Sequence, residues 1–209
     1  MRDRIGEAVT LNNIGGVYSD LGQLQQALTF YKQALPILQV VGDQRGEAVT
    51  LNDIGTVYRD IGQPRQALEY YNRVLPIRQA VGDRRGKATT LNNIGTVYSD
   101  LGQPQQALTF YNRALPILQA VDDRRGEANT LNNLGLGYHK INRSTEAIAN
   151  LEQSVKLTLQ IRSGLLREQR QLFGQAERSA AVALVSLLVD RKATERAYEW
   201  VNLTAGIVN

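Results

Sequence analysis

The chain has 209 residues, 43% of them apolar and 21% charged, the composition of a folded protein rather than a disordered one. It holds no cysteine and a single histidine, His139, which excludes disulfides, thiolate zinc sites, a cysteine nucleophile and a multi-histidine metal centre within this sequence. The net charge of +4 divides into fourteen basic against thirteen acidic residues over 1–130 and ten against seven over 131–209, so neither part carries the one-sided basic stripe that a nucleic-acid partner requires.

No apolar run approaches the ~20 residues that span a bilayer. The opening "MRDRIGEAVTL" lacks the basic-then-apolar layout of a signal peptide. The expected compartment is therefore the cytoplasm, with no membrane partner. No nucleophile paired with a base, phosphate-cradling glycine loop or carboxylate pair in a pocket is legible, so the sequence reads as non-catalytic and free of cofactors and metals.

Leu11, Leu51, Leu91 and Leu131 stand forty residues apart, and so do Gly15, Gly55, Gly95 and Gly135, Tyr18, Tyr58, Tyr98 and Tyr138, and Ala27, Ala67, Ala107 and Ala147. A fixed period of this length marks units that bury their apolar faces only by stacking on one another. Four such units are expected at about 1–43, 44–83, 84–123 and 124–161. Within the third, Leu91, Ile94, Gly95 and Tyr98 follow helical spacing and define a helix A. "DLGQP" at 100–104 then breaks the chain, with Gly102 suited to a left-handed C-terminal conformation and Pro104 to the first turn of the next helix. Ala107, Leu108, Tyr111, Ala114 and Leu115 make the stripe of an amphipathic helix B, and the small Gly95 and Ala107 mark the expected close approach of the pair. Pro36, Pro76 and Pro116 fall inside helix B, where the helix either kinks or stops; Ile117 and Val121 continue the apolar face and favour a kink. The connector that follows reads "GDQRG", "GDRRG" or "DDRRG", and its Arg84/Arg85 and Arg124/Arg125 pairs are compensated by Asp83 and by Asp122 and Asp123.

In the fourth unit Asn142 replaces the turn glycine, Leu151 the tyrosine, Ser154 the alanine and Lys156 the proline. Beyond Arg162 the period is lost. Residues 162–209 read as a degenerate helical region with a fifth helix pair: Ala181, Leu184, Val185 and Leu188 on one helix, Ala197 and Val201 on the next, and Thr194 as its N-cap. Leu165, Leu166, Leu172 and Phe173 make the segment between too apolar for a free linker.

Leu91, Ile94, Gly95, Tyr98, Ala107, Tyr111 and Ala114 match the spacing of the tetratricopeptide repeat signature, with leucine where that family often has tryptophan. The forty-residue period resembles the lengthened repeats of kinesin light chains and Pins-type adaptors. The resemblance implies an all-α fold, a right-handed solenoid of antiparallel helix pairs whose helix A faces line a concave groove. "LLREQRQLFGQAERSAAVAL" and "AYEWVNLTAGIVN" look like the region that follows such repeats in cyanobacterial proteins carrying a caspase-like CHAT domain. The chain is thus expected to be the interaction part of a longer polypeptide.

Asn12/Asn13, Asn52/Asp53, Asn92/Asn93 and Asn132/Asn133 lie on the helix A face. An amide offers donors and an acceptor, so a ladder of amides can hold the backbone of an extended peptide. In the related adaptors asparagines at these positions contact bound peptide, and the resemblance carries that role to these residues. For one member of each pair, a bond to a neighbouring helix is the competing reading. Gly16, Thr56, Thr96 and Leu136, then Ser19, Arg59, Ser99 and His139, continue the same face; Arg59 reads either as a selectivity element or as a charge paired with a nearby carboxylate. The lysines that a carboxylate-clamp repeat uses are missing here. The expected function is a scaffold that binds an extended protein or peptide segment, from a partner or from its own missing domain. The alternative is a spacer or self-assembly module, a homo-oligomer formed through exposed repeat ends.

Overall fold

A computed structural model describes residues 2–163, 175–190 and 200, with no strand among them. The helices are α1 (Arg2–Asp20), α2 (Leu24–Val41), α3 (Gln44–Asp60), α4 (Pro64–Ala80), α5 (Arg84–Asp100), α6 (Pro104–Ala120), α7 (Arg124–Lys140), α8 (Ser144–Ser163) and α9 (Gln175–Asp190). They fall into two compact units, Met1–Leu101 and Gly102–Asn209. Among the described residues no helix is long and apolar enough to cross a membrane.

In the first unit Ala8, early in α1, packs with Ala34 and Leu38, late in α2. Gly15, late in α1, faces the Tyr31 ring, early in α2. The two helices are therefore antiparallel. Ala27, Leu28 and Tyr31 of α2 then receive Ile54 and Val57 of α3, and Ala48 and Leu51 of α3 receive Val74 of α4. Burial of such stripes contributes roughly 1.5–3 kcal/mol per large side chain.

In the second unit Leu108 of α6 packs on Gly137 of α7, and Leu151 of α8 packs on Gly135. The α9 helix lays Ala181, Leu184 and Leu188 against Ala147, Leu151 and Val155 of α8, with Trp200 in the same cluster. Ser154, standing in the alanine column, is 2% exposed and donates to the Ala128 carbonyl at 2.7 Å. That bond satisfies a hydroxyl that burial would otherwise penalise. Leu165, Leu166, Leu172, Phe173, Thr194, Ala197 and Val201 lie outside the described residues.

The expected close approach of glycine to alanine takes a different form in the first unit. The nearest atoms to a Cβ built on Gly15 or Gly55 belong to the rings of Tyr31 and Tyr71, whereas on Gly135 they include the Ala147 carbonyl oxygen at 3.2 Å. Of the two outcomes at the internal prolines, the stop does not occur: α2, α4 and α6 run past Pro36, Pro76 and Pro116. The carbonyls four residues earlier, which lose their donor, belong to the exposed residues Lys32, Asn72 and Asn112, within reach of solvent as a substitute donor.

Both connectors close in the same way. Gly22, Gly62, Gly102 and Asn142 take φ of 72, 81, 70 and 61° at one, and Gly42, Gly82 and Asp122 take 74, 68 and 51° at the other. The amide of the residue after each of Gly42, Gly82 and Asp122 bonds back to Leu38, Arg78 or Leu118, at 2.9, 2.8 and 2.9 Å. Asp43, Asp83 and Asp123 then cap α3, α5 and α7 by accepting from Gly46, Gly86 and Gly126 at 3.0, 2.8 and 3.0 Å. Each cap is worth ~1 kcal/mol. The left-handed backbone at Asp122 is unfavourable for a side chain, and its ion pair with Arg124 is exposed and contributes little. Asp122→Gly is expected to stabilise the chain by about 0.5–1 kcal/mol, read as a small rise in melting temperature.

Candidate functional site

The two members of each asparagine pair differ in environment. Asn12 donates to Thr50 Oγ1 of α3 at 2.7 Å, and Asn52 Oδ1 accepts from Asn93 Nδ2 of α5 at 3.2 Å. Asn92 is half-buried, and Asn132 is only 6% exposed. Thr50, Thr90 and Thr130 are buried and donate to the carbonyls of Gly46, Gly86 and Gly126. Sequence reasoning missed these threonines, although a threonine recurring every forty residues was there to be seen.

Among the second members, Asn13 is exposed, and Asp53, Asn93 and Asn133 are half-buried. Thr56 Oγ1 bonds the Asn52 carbonyl at 3.1 Å and the Tyr71 hydroxyl at 3.0 Å, and Thr96 Oγ1 bonds the Asn92 carbonyl at 3.1 Å. Arg59 is held by Asp60, with Nη2 at 2.7 Å and Nε at 3.0 Å from the same carboxylate oxygen. The structure thus gives Arg59 a carboxylate on its own helix. His139 is exposed.

Within the first unit a cavity of about 200 Å³ is lined by Gly16, Ser19 and Asp20 of α1, Tyr31 of α2, and Asp53 and Thr56 of α3. Burial pushes the Asp53 carboxyl up to about 6, against the opposing effects of a hydrogen bond from Asn52 and the Arg78 charge. Burial also pushes the Tyr31 hydroxyl up to about 12, helped by the Asp53 and Asp20 charges. Because the folded Asp53 holds its proton to a higher pH than the unfolded chain does, it makes folding weaker as pH rises from about 4 through 6. Among the described residues no group of three or more His, Cys, Asp or Glu is placed to hold a metal.

The model of the tetratricopeptide repeat matches residues 6–80 and 82–160, and the chain belongs to that family. Its fold is all-α, built of antiparallel helix pairs in the manner of a tetratricopeptide solenoid. BtubC (BKLC) from P. vanneervenii is similar over 98% of this chain and 82% of its own, with a TM-score of 0.79 at 19% identity. A Podosopora anserina protein described as a kinesin light chain with nearly identical TPR-like repeats is similar over 95% and 93%, with a TM-score of 0.69 at 17% identity. A Rap protein complexed with Competence and Sporulation Factor is similar over 96% of this chain and 54% of its own, with a TM-score of 0.73 at 18% identity. Among curated proteins, none matches this chain.

Proposed function

We propose that the chain is a non-catalytic interaction scaffold that holds an extended peptide segment along its helix A faces. The observation that carries this reading is the division of labour within the asparagine pairs. Asn12 donates to the next A helix and Asn132 is buried, whereas Asn13, Asp53, Asn93 and Asn133 keep accessible surface, Asn93 while also donating to Asn52. The accessible amides of Asn13, Asn93 and Asn133 suit peptide backbone, and Asp53 offers a carboxylate acceptor in place of an amide. The Rap protein of like fold, found with a bound factor, adds support. The segment is that of a partner in the cytoplasm or of a CHAT-type domain of the same polypeptide.

A degenerate pool of acetylated, fluorescently labelled nonapeptides tests this by anisotropy. Asn13→Ala and Asn133→Ala are each expected to weaken binding by ~1 kcal/mol, about fivefold, with the melting temperature little changed, because Asn13 is exposed and Asn133 only half-buried. Binding of the pool that is indifferent to both substitutions removes the amide ladder.

The second reading, self-assembly through repeat ends, draws on the exposed Ile5, Val9, Val17 and Leu21 of the α1 end and on the cavity of about 450 Å³ beside Asn13, Ile14 and Val17. Light scattering over a concentration series distinguishes it.

A further inference from the structure

Two departures from the forty-residue pattern meet at one place. The second and third repeats carry Thr56 and Thr96 where the first has Gly16, and the other three repeats carry Asn13, Asn93 and Asn133 where the second has Asp53. Both odd residues line the cavity of about 200 Å³ described above.

The missing threonine leaves a specific gap. In the second repeat the Tyr71 hydroxyl bonds Thr56 Oγ1 at 3.0 Å. The corresponding Tyr31 is only 4% exposed and its hydroxyl has no hydrogen-bond partner among the described residues. A Cβ on Gly16 would stand 3.8 Å from that hydroxyl, so the space left open by glycine lies in front of it. Around the same space are the carboxylates of Asp20 and Asp53 and the hydroxyls of Ser19 and Thr56, with no cation among the lining residues.

The Tyr31 hydroxyl opens on this cavity without a protein partner among the described residues, and Asp53 beside it is a partly desolvated carboxylate; a single donor-rich cation bonds the one and neutralises the other. Guanidinium brings five donors and ammonium three. The cavity is smaller than the roughly 300–1,000 Å³ of small-molecule sites, which suits one side-chain head group better than a whole ligand. Too few ligating groups gather here for a metal.

We propose that this cavity is a specificity pocket for a basic side chain, arginine or lysine, of the segment bound along the helix A faces, a proposal that rests on the peptide-binding reading above. Asp53 and Asp20 supply the charge, Tyr31 orients the head group, and Gly16 makes the room.

The test uses the full chain and two probes. The first is the nonapeptide pool resynthesised with the central position fixed as Arg, Lys, Leu or Glu. The second is N-acetylarginine methylamide, followed through the amide resonances of Gly16 and Asp53. The Arg- and Lys-centred pools are expected to bind about tenfold or more tightly than the Leu- and Glu-centred ones, and the arginine compound to shift both resonances saturably. Asp53→Asn and Gly16→Thr each restore the residue that other repeats carry. Both are expected to abolish the preference without lowering the melting temperature at pH 7.5. A preference that survives both substitutions overturns the proposal. Pools that bind equally whatever their centre, with no response to the arginine compound, overturn it and leave the peptide-binding reading standing. If no pool binds while the arginine compound shifts Gly16 and Asp53, the pocket is upheld as a cation subsite and the peptide-binding reading falls.

Discussion

Replacing Gly55 by leucine is expected to destabilise the first unit by about 3 kcal/mol, the upper end of what overpacking ordinarily does, and to lower the melting temperature by roughly 10 °C. A Cβ there would lie 2.7 Å from Tyr71 Cε1 and 2.9 Å from Cδ1, well inside contact distance, and leucine adds three more carbons to that conflict. The ring has nowhere to retreat. Tyr71 is 0% exposed, and its hydroxyl is tethered to Thr56. Leucine is the better helix former by ~1 kcal/mol, so propensity alone predicts the opposite sign. Gly6→Leu provides the control, because a Cβ at that exposed position meets nothing within 4 Å. Circular dichroism at 222 nm reads both variants; a Gly55→Leu chain that melts with or above the parent would show that the ring does not fix the helix spacing.

The glycine column illustrates what a sequence with internal repeats reveals. The period set Gly15, Gly55 and Gly135 in one column with Gly95, the glycine expected at a close approach, and a Cβ on each of these three would meet a neighbouring side chain, as packing requires of a glycine recurring inside a helix. Turn chemistry was equally local and equally legible: Gly102 and Asn142 do take positive φ. What glycine touches was not legible, since it depends on how far one helix slides along the next, and the contact falls on the tyrosine ring in the first unit. Asp83 could be seen beside Arg84 and Arg85, but its bond to the Gly86 amide comes from the backbone turn and not from charge. Likewise a helical wheel sets Asn12 and Asn13 about 100° apart without saying which one meets the next repeat. The hydrogen bond from Asn12 to Thr50 decides it. Gly16 and Asp53 were visible as deviations, but only the fold shows that they share a cavity.

Arg78→Leu is expected to stabilise the chain by about 1–4 kcal/mol, the range for replacing a buried ion pair by well-packed apolar side chains, because the partner left behind, Asp83, is 39% exposed and keeps its solvation. Leu38 and Leu118 occupy the same column in the neighbouring repeats, each 1% exposed, and each reaches the glycine that opens the next helix, Gly46 or Gly126. Arg78 is 7% exposed in that apolar slot. Its Nε has no hydrogen-bond partner and stands 3.9 Å from Asp83 Oδ2, and burial pushes its guanidinium pKa down, against the Asp83 and Asp53 charges. Alanine is the wrong replacement, because it leaves a void. The gain is expected to depend on pH, because Arg78 opposes the burial that raises the Asp53 carboxyl. Without Arg78 that carboxyl holds its proton to a still higher pH. At pH 7.5 the ionised Asp53 has then lost a stabilising charge, whereas at pH 5 it is already largely protonated and has little to lose. Arg78→Leu should therefore raise the melting temperature more at pH 5 than at pH 7.5, and in the Asp53→Asn background by the same amount at both. A gain equal at both pH values with Asp53 present would uncouple the two residues; a loss of stability would mean that Asp83 holds the guanidinium more firmly than a 3.9 Å separation implies.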